Sequence, residues 1–504
     1  MAEKTGMGAG GTIPGKSLTE LGLTARGGAE ARITGLAVDS REVRTGYLFA
    51  AMPGTRIHGA EFIPAALRMG AIAVLTDAEG ARIAAEALAG ADVALVVAED
   101  PRQALACAAA LWFGAQPRIM AAVTGTNGKT SVATFLRQIW QGLGHSAINL
   151  GTTGVEGDFT MPLAHTTPEP ITLHRVLSEA AAHGITHCAM EASSHGLSQR
   201  RLDGVVLQAG GFTNLTQDHL DYHASFAEYF DAKASLFTRV LSPEGHAVIN
   251  LDGARGADMA LQAEERGLDV LTVGEAPEAE MRLIGRRFTP GGQVLRVAFN
   301  GIEYQVGLDL IGGFQGENVL LAAGLALLTG EAPEEVFSVL PQLSGVRGRM
   351  QLAATRDNGA GIYVDYAHTP DAVATALKAL RPHVMGRIVC VVGAGGDRDR
   401  TKRPLMGQAA AENADLVIVT DDNPRSEDPA SIRQAILMGC PGALEVGDRA
   451  EAILRAVDAL GPGDALLIAG KGHETGQTVG DVVYPFDDVE QASVAVAALD
   501  GRLA

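Results

Sequence analysis

The run Val123-Thr124-Gly125-Thr126-Asn127-Gly128-Lys129-Thr130-Ser131 constrains this 504-residue chain more than any other stretch. A loop of this kind works only between a buried strand and a helix. Its glycines let backbone amides turn inward toward phosphate oxygens, Lys129 offers a cation to the β- and γ-phosphates, and the Thr130 hydroxyl can ligate Mg²⁺. The flanks provide the required context: residues 118–123 read as an apolar strand and residues 131–143 as a helix. Where such loops commonly carry a glycine five places before the Gly-Lys pair, this one has Val123, so Gly125 must make the turn. Binding of a nucleoside triphosphate is the chemistry expected of it.

Length alone indicates about three domains of ordinary size. Apolar residues make up 47% of the chain but aromatics only 5%, so the cores are built from Ala, Val, Leu and Ile. With 62 glycines, this composition fits strands alternating with helices through tight turns. A net charge of −19 argues against nucleic acid or an acidic membrane surface as partner, and an anionic substrate must then be held by local basic residues. Cys107, Cys188, Cys390 and Cys440 are scattered without metal-ligand spacing and read as reduced core thiols of a cytoplasmic protein. Residues 1–15 are glycine-rich with no apolar run fit for a signal peptide, and no later segment is suited to span a bilayer. A soluble protein without stable membrane association is expected.

Short strand-like runs alternate with alanine-rich helical stretches from residue 33 to about 97. A helix over 101–113 then leads to a linker at 114–117. The nucleotide strand opens a second unit of alternating strands (187–191, 207–212, 247–250) and helices, which predicts a mostly parallel sheet. Between 281 and 310 the pattern changes to hairpin-like strands around Pro290-Gly291-Gly292 and Asn300-Gly301, followed by helices at 318–328 and 333–340. A third βαβ unit starts near Met350, with strands at 361–365, 387–392, 415–420 and 465–469.

Polar clusters fall at the C-terminal ends of these strands, where doubly wound sheets place their ligands. Glu191, at the end of a buried-looking strand, is positioned as a hard oxygen ligand for Mg²⁺, the plain alternative being a helix-capping carboxylate. Residues 213–223 follow another strand end and offer His219 as a candidate metal ligand or phosphate contact.

In order along nearly the whole chain, the following segments occur: Asp39-Ser40-Arg41, the 125–131 loop, Thr166-Thr167-Pro168, 191–196, 214–222, Gly348-Arg349-Met350, 365–370 and Gly470-Lys471-Gly472-His473-Glu474. Taken together the chain resembles the Mur ligases, ATP-dependent amino-acid ligases of peptidoglycan synthesis. The resemblance implies a three-domain α/β architecture: residues 1–115 for the UDP end of the substrate, a central P-loop ATPase domain with a parallel sheet over 116–346, and a Rossmann-like domain over 347–504 for the amino acid. It further implies ATP contacts from Gly125, Thr126, Asn127, Gly128, Lys129, Thr130, Ser131, Asn318, Arg349 and Asp365. Thr130 and Glu191 are expected on one Mg²⁺, and His219 with a carbamylated Lys233 on a second; Lys129, Lys233 and His219 form the catalytic set. Ser40, Thr166, Thr167, Ser193, Gln199 and Arg201 match positions that contact the UDP-MurNAc-dipeptide.

Asp422-Asn423-Pro424-Arg425 resembles the signature of family members that add meso-2,6-diaminopimelate, whereas members using lysine generally lack an arginine there. Diaminopimelate carries one more carboxylate than lysine, which an arginine fork can clamp bidentately. The same four residues also read as a turn with a helix cap. Arg398, Gly470 and Glu474 complete the implied site, Glu474 receiving the distal ammonium. The implied reaction joins diaminopimelate to the D-glutamate γ-carboxylate of UDP-MurNAc-L-Ala-D-Glu through an acyl phosphate, catalysed by a monomer. The adenine segment, often Phe-Asn-x-x-Asn, is Phe314-Gln315-Gly316-Glu317-Asn318 here, so Asn318 is carried over and Gln315 is not. Two other classes share parts of this pattern. A folylpolyglutamate synthetase has the loop and the ligase chemistry, and a phosphotransferase or nucleotide-dependent switch has the loop alone.

Overall fold

The computed structural model describes residues 15–54, 57–216 and 222–502. Its largest element is a ten-stranded sheet. From one edge to the other it runs Ile302–Leu308, Gly292–Phe299, Met281–Thr289, Asp269–Gly274, His246–Asn250, Ala209–Phe212, Ile119–Thr124, His187–Glu191, Ala147–Gly151 and Gly154–Gly157. Pairing is parallel from Met281–Thr289 to Ala147–Gly151 and antiparallel in the hairpins at both edges. Parallel strands are covered on both faces, and the central strand shows why its sequence is apolar throughout. Ala121 and Val123 pack with Leu136, Trp140, Leu321 and Leu325 on one side, while Met120 and Ala122 pack with Leu173, Leu177 and Phe237 on the other. The pairing register sets Glu191 opposite Val123 and Phe212 opposite Thr124, so the ends of three strands converge at the start of the helix Lys129–Gly142.

A smaller sheet of four parallel strands (Gly35–Ala37, Tyr47–Ala50, Ala73–Thr76, Ala94–Val97) precedes it. The helix Pro101–Phe113, capped by the Asp100 side chain, joins the two. Asp100 also pairs with Arg200 of the central unit at 2.6 Å. A six-stranded sheet follows, ordered Gln351–Thr355, Gly361–Asp365, Ala465–Ala469, Ile388–Val392, Leu416–Val419 and Leu444–Glu445; only the first strand is antiparallel. The predicted hairpins at 281–308 are present, with Asn300 (φ 50°) and Gly301 (φ 77°) making a tight turn. The edge strand Gln351–Thr355 and the ribbon of Gly476–Val479 with Val482–Pro485 have no counterpart in the sequence reading. Cys188, Cys390 and Cys440 are buried thiols as expected, but Cys107 is exposed, and all four are free. Among the described residues no helix is long and apolar enough to cross a membrane.

The imidazole of His383 bridges the last two units: Nδ1 donates to the Thr289 carbonyl at 2.8 Å and Nε2 accepts from the Gly312 amide at 3.0 Å. Ile311 and Phe314, at the head of the helix Gly313–Leu328, pack into the C-terminal core. That core contains a fully buried ion pair. Arg449, on the helix Arg449–Asp458, holds both oxygens of Asp488 at 2.7 Å and donates to the carbonyl of Ala469 at 3.0 Å. The paired carboxylate keeps the guanidinium proton bound more tightly than usual despite its burial. Breaking such a pair from one side leaves an uncompensated charge in the core, so Arg449→Ala should cost about 3–5 kcal/mol, read as a lowered urea midpoint. R449L/D488L, which removes both charges, should recover much of that loss, and wild-type stability in Arg449→Ala would refute the assignment.

Candidate active site

The phosphate loop is shaped by what its glycines exclude. Gly125 sits at φ 142°, and a Cβ there would meet the Thr213 hydroxyl at 1.8 Å. Gly128, at φ 87°, would meet Asn318 Oδ1 at 2.5 Å. Neither conformation suits a residue with a side chain, and neither contact could be relieved without moving the loop's own supports. Those supports are specific. The Thr213 hydroxyl donates to the Asn127 carbonyl at 2.6 Å, Asn214 Oδ1 accepts the Asn127 amide at 3.0 Å, and the Thr126 hydroxyl bonds Tyr229 Oη at 3.1 Å. Lys129 folds onto the loop, donating to the carbonyls of Gly125 and Thr126 at 2.9 and 2.8 Å. Lys233, buried on the helix Phe226–Ser235, donates to the same Gly125 carbonyl at 2.7 Å and stands over the Tyr229 ring. Both lysines thus converge on one carbonyl at the mouth of the loop.

Glu191 does not cap a helix; Ser193 does that for Ser194–Ser198, accepting the Gly196 amide. The Glu191 carboxylate, 2% exposed, instead accepts from the Thr130 hydroxyl at 3.0 Å, the Thr152 amide at 2.8 Å and the Thr152 hydroxyl at 3.3 Å. Its hydrogen-bond partners are neutral. A buried carboxylate next to a loop hydroxyl is a hard, anionic oxygen set, so the residues present fit Mg²⁺. The second expected cation ligand, His219, lies outside the described residues.

From this point a chain of contacts leads toward the N-terminal unit. Thr152 Oγ1 meets Thr166 Oγ1 at 3.0 Å, and the Thr167 hydroxyl donates to the Glu191 carbonyl at 2.9 Å while accepting the Ser193 amide at 3.1 Å. Arg201 donates to the Thr167 carbonyl at 2.5 Å and to Gln199 Oε1 at 2.8 Å, and Gln199 reaches Tyr222 Oη at 3.1 Å. Gln199 and Arg201 also line a cavity of about 160 Å³ with Glu169, Arg102, Val38 and Met52. Arg102 is a basic residue at this inter-unit cleft that the sequence reading passed over; its anchor, the Pro53 carbonyl, is distant in sequence. Ser40 sits two residues beyond Val38, outside the cavity lining.

A second cluster forms at the strand ends of the C-terminal sheet. Gly348 (φ 66°) lies so close to the chain at Gly472 and His473 that a Cβ would meet the His473 amide nitrogen at 2.2 Å. Arg349 lies over the Tyr366 ring, and Asp365 accepts the amides of Met350 and Ala367 at 2.8 and 2.9 Å. Burial raises the Asp365 carboxyl above its ordinary value, against the pull of Arg349. Burial lowers the His473 imidazole to about 4, so it is neutral at physiological pH. The segment Asp422-Asn423-Pro424-Arg425 is neither a turn of its own nor a helix cap: Asp422 lies at a bend, Arg425 forms an isolated bridge with Val479, and the helix Pro429–Leu437 is capped by Asp428. Asp422 and Asn423 are buried, and Asn423 Nδ2 donates to Glu474 Oε2 at 2.8 Å. Arg425 takes a left-handed backbone (φ 51°), pinned by Thr478 and Gly480 of the ribbon, and its guanidinium rests on the Gly396 carbonyl at 2.8 Å. Arg398 extends from the same loop, and Gly470 (φ 117°) packs against the Asp422 carboxylate.

Among the described residues no hydrogen bond joins the two clusters directly. Gln315, which the family pattern gives no role, is a buried side chain that accepts from Asn318 Nδ2 at 3.1 Å and so orients the amide that touches Gly128. A glutamine three residues ahead of the asparagine on one helix face is the signal that could have found it.

Three family models match in succession: "Mur ligase family, catalytic domain" over residues 32–112, "Mur ligase middle domain" over 123–326 and "Mur ligase, glutamate ligase domain" over 348–472. A protein of Bradyrhizobium diazoefficiens named UDP-N-acetylmuramoyl-L-alanyl-D-glutamate--2,6-diaminopimelate ligase is 52% identical over 93% of this chain and 96% of its own. One of the same name from Caulobacter vibrioides is 49% identical over the same shares. A solved structure bearing that enzyme name is 35% identical, with a TM-score of 0.68 over 93% of this chain and 95% of the other. The chain belongs to the Mur ligase family.

Proposed function

We propose that this protein is the cytoplasmic ligase that uses ATP and Mg²⁺ to join meso-2,6-diaminopimelate to the D-glutamate γ-carboxylate of UDP-MurNAc-L-Ala-D-Glu, in peptidoglycan precursor synthesis. The observation that carries the choice of amino acid is the placement of Arg425: its guanidinium, anchored by one N–H on Gly396, stands in the same strand-end cluster as Glu474. A cation for a second carboxylate and an anion for an ammonium match the distal end of diaminopimelate, and lysine would leave the arginine unsatisfied. Asp422, Asn423, Pro424, Gly470 and Arg398 form the rest of this pocket in our reading. We assign residues 1–115 to the UDP end, 116–346 to ATP and 347–504 to the amino acid, in a monomer.

The carboxylate of the dipeptide attacks the γ-phosphorus, the bond to the bridging oxygen of ADP breaks, and an acyl phosphate results. The amine of diaminopimelate then attacks the carbonyl carbon, phosphate departs and the amine gives up its proton. Both reactants of the first step are anions, so the protein's task is to screen charge and hold geometry. The loop at residues 125–131 cradles the phosphates, and Lys129 joins it by leaving the Gly125 and Thr126 carbonyls. Thr130 and Glu191 would hold Mg²⁺, which supplies neutralising charge to phosphate oxygens when bound. For a second ion we assign His219 and Lys233, the amine of Lys233 having taken up CO₂ with loss of a proton. Asn318, oriented by Gln315, faces the adenine. Thr166, Thr167, Ser193, Gln199 and Arg201 seat the dipeptide, with Ser40 at the uridine end. Arg349 and Asp365 reach ATP when the C-terminal unit closes on the loop, turning about the contact at His383, and closure shields the acyl phosphate from water.

With UDP-MurNAc-L-Ala-D-Glu present, phosphate release from ATP should depend on diaminopimelate and be weak with L-lysine; release independent of any amino acid would favour a phosphotransferase or switch. Arg425→Met should lower kcat/KM for diaminopimelate about 10- to 100-fold while leaving lysine turnover little changed. Glu191→Ala should cut ATP turnover by about 10²–10³-fold while leaving the protein folded, and retained turnover would sink its metal role. Gln315→Leu should raise KM for ATP about three- to tenfold with kcat nearly intact, as expected for one lost orienting hydrogen bond.

A further inference from the structure

The strand Ala465–Ala469 delivers the chain into the segment beginning at Gly470, and there the side chain of Lys471 turns inward to complete burial. A buried ammonium has three donors and no acceptor, so its partners reveal its task. Nζ donates to Asn423 Oδ1 at 3.0 Å and to the Gly476 carbonyl at 2.7 Å. It also lies 3.4 Å from Asp422 Oδ1 and 3.8 Å from Glu474 Oε2. Asn423 Oδ1 accepts a second bond, from the Thr478 amide at 2.9 Å. With its oxygen claimed by two donors, the Asn423 carboxamide has one permitted orientation, and its Nδ2 must face Glu474, where the 2.8 Å bond is found. The Asn423 amide is therefore a relay whose direction is imposed from the Lys471 side.

We propose that Lys471 is the positioning residue of the amino-acid site: it fixes the Asn423 carboxamide and through it the Glu474 carboxylate, and its ammonium stands between the Asp422 and Glu474 carboxylates. The proposal rests on the reading of these residues as the diaminopimelate pocket and deepens it. Glu474 is faced by Asp422, Lys471, Arg425, Asn423 and Tyr366, with Arg449 and Asp488 behind Lys471. Burial and then Asp422 push the Glu474 carboxyl up, while Asn423, Lys471 and Arg425 pull it down. Removing the Lys471 charge leaves the upward pushes less opposed. Glu474 then protonates at a higher pH, and a neutral carboxyl no longer attracts the ammonium of the amino acid.

The test uses the full-length enzyme and steady-state phosphate release from pH 6 to 9. Lys471→Met should raise KM for diaminopimelate about 10- to 100-fold and move the acid limb of kcat/KM for diaminopimelate to higher pH, with KM for ATP and for the UDP-dipeptide unchanged. Adding Lys471→Met to Glu474→Gln should raise KM no further, because the two act through one carboxylate. An unchanged KM and acid limb in folded Lys471→Met, or full additivity in the double variant, overturns the proposal. If Lys471→Met does not fold, Asn423→Asp decides: it keeps the acceptor for Lys471 but replaces the donor that faces Glu474, so the same limb must move, and wild-type behaviour overturns the relay. Wild-type enzyme lacking any diaminopimelate-dependent release would instead overturn the assigned function itself.

Discussion

Everything in the central unit is arranged around a turn that tolerates no Cβ. The backbone at Gly125 is pressed against Thr213 and that at Gly128 against Asn318, so the neighbouring strand end and the helix Gly313–Leu328 both bear on the loop. The Thr126 and Asn127 amides are held by Asn214, and carbonyls, hydroxyls and the Glu191 carboxylate surround the start of the helix. Two lysines also meet at this loop, each donating to the Gly125 carbonyl.

Charge is handled differently in the two clusters. Around the loop, Glu191 is buried among neutral donors, whose hydrogen bonds offset the cost of removing its charge from water. In the C-terminal cluster the charges satisfy one another. Arg449 and Asp488 neutralise each other in the core, and the bond from Arg449 to the Ala469 carbonyl fixes the strand end from which Lys471 projects. Lys471 in turn lies between two carboxylates, so a run of alternating charge extends from the core to the pocket surface. Its innermost pair is the least dispensable, since removing Arg449 or Asp488 alone strands a charge in the core.

The two clusters are joined mechanically. His383 holds the hairpin carbonyl of Thr289 and the amide of Gly312, one residue before the helix that carries Gln315 and Asn318. The C-terminal unit is thereby anchored next to the helix that supports the nucleotide loop.

Much was legible from sequence because local rules governed it. The loop, its flanking strand and helix, the parallel alternation and the hairpin turn at Asn300-Gly301 follow from periodicity and glycine placement, and the motif order identifies the family. The antiparallel edge Gln351–Thr355 and the ribbon after Gly476 were missed, since short strands without strong alternation are stabilised by partners far along the chain. The same limit applied to the site. Sequence determined which residue types could bind phosphate, metal and a zwitterion. Only the tertiary structure decided that Glu191 faces Thr130 rather than capping a helix, that Gln315 steers Asn318, that Arg102 enters the inter-unit cleft and that Lys471 turns inward to Asn423. Each of these depends on which distant groups are close enough to share a proton or a charge, and no local pattern encodes that distance.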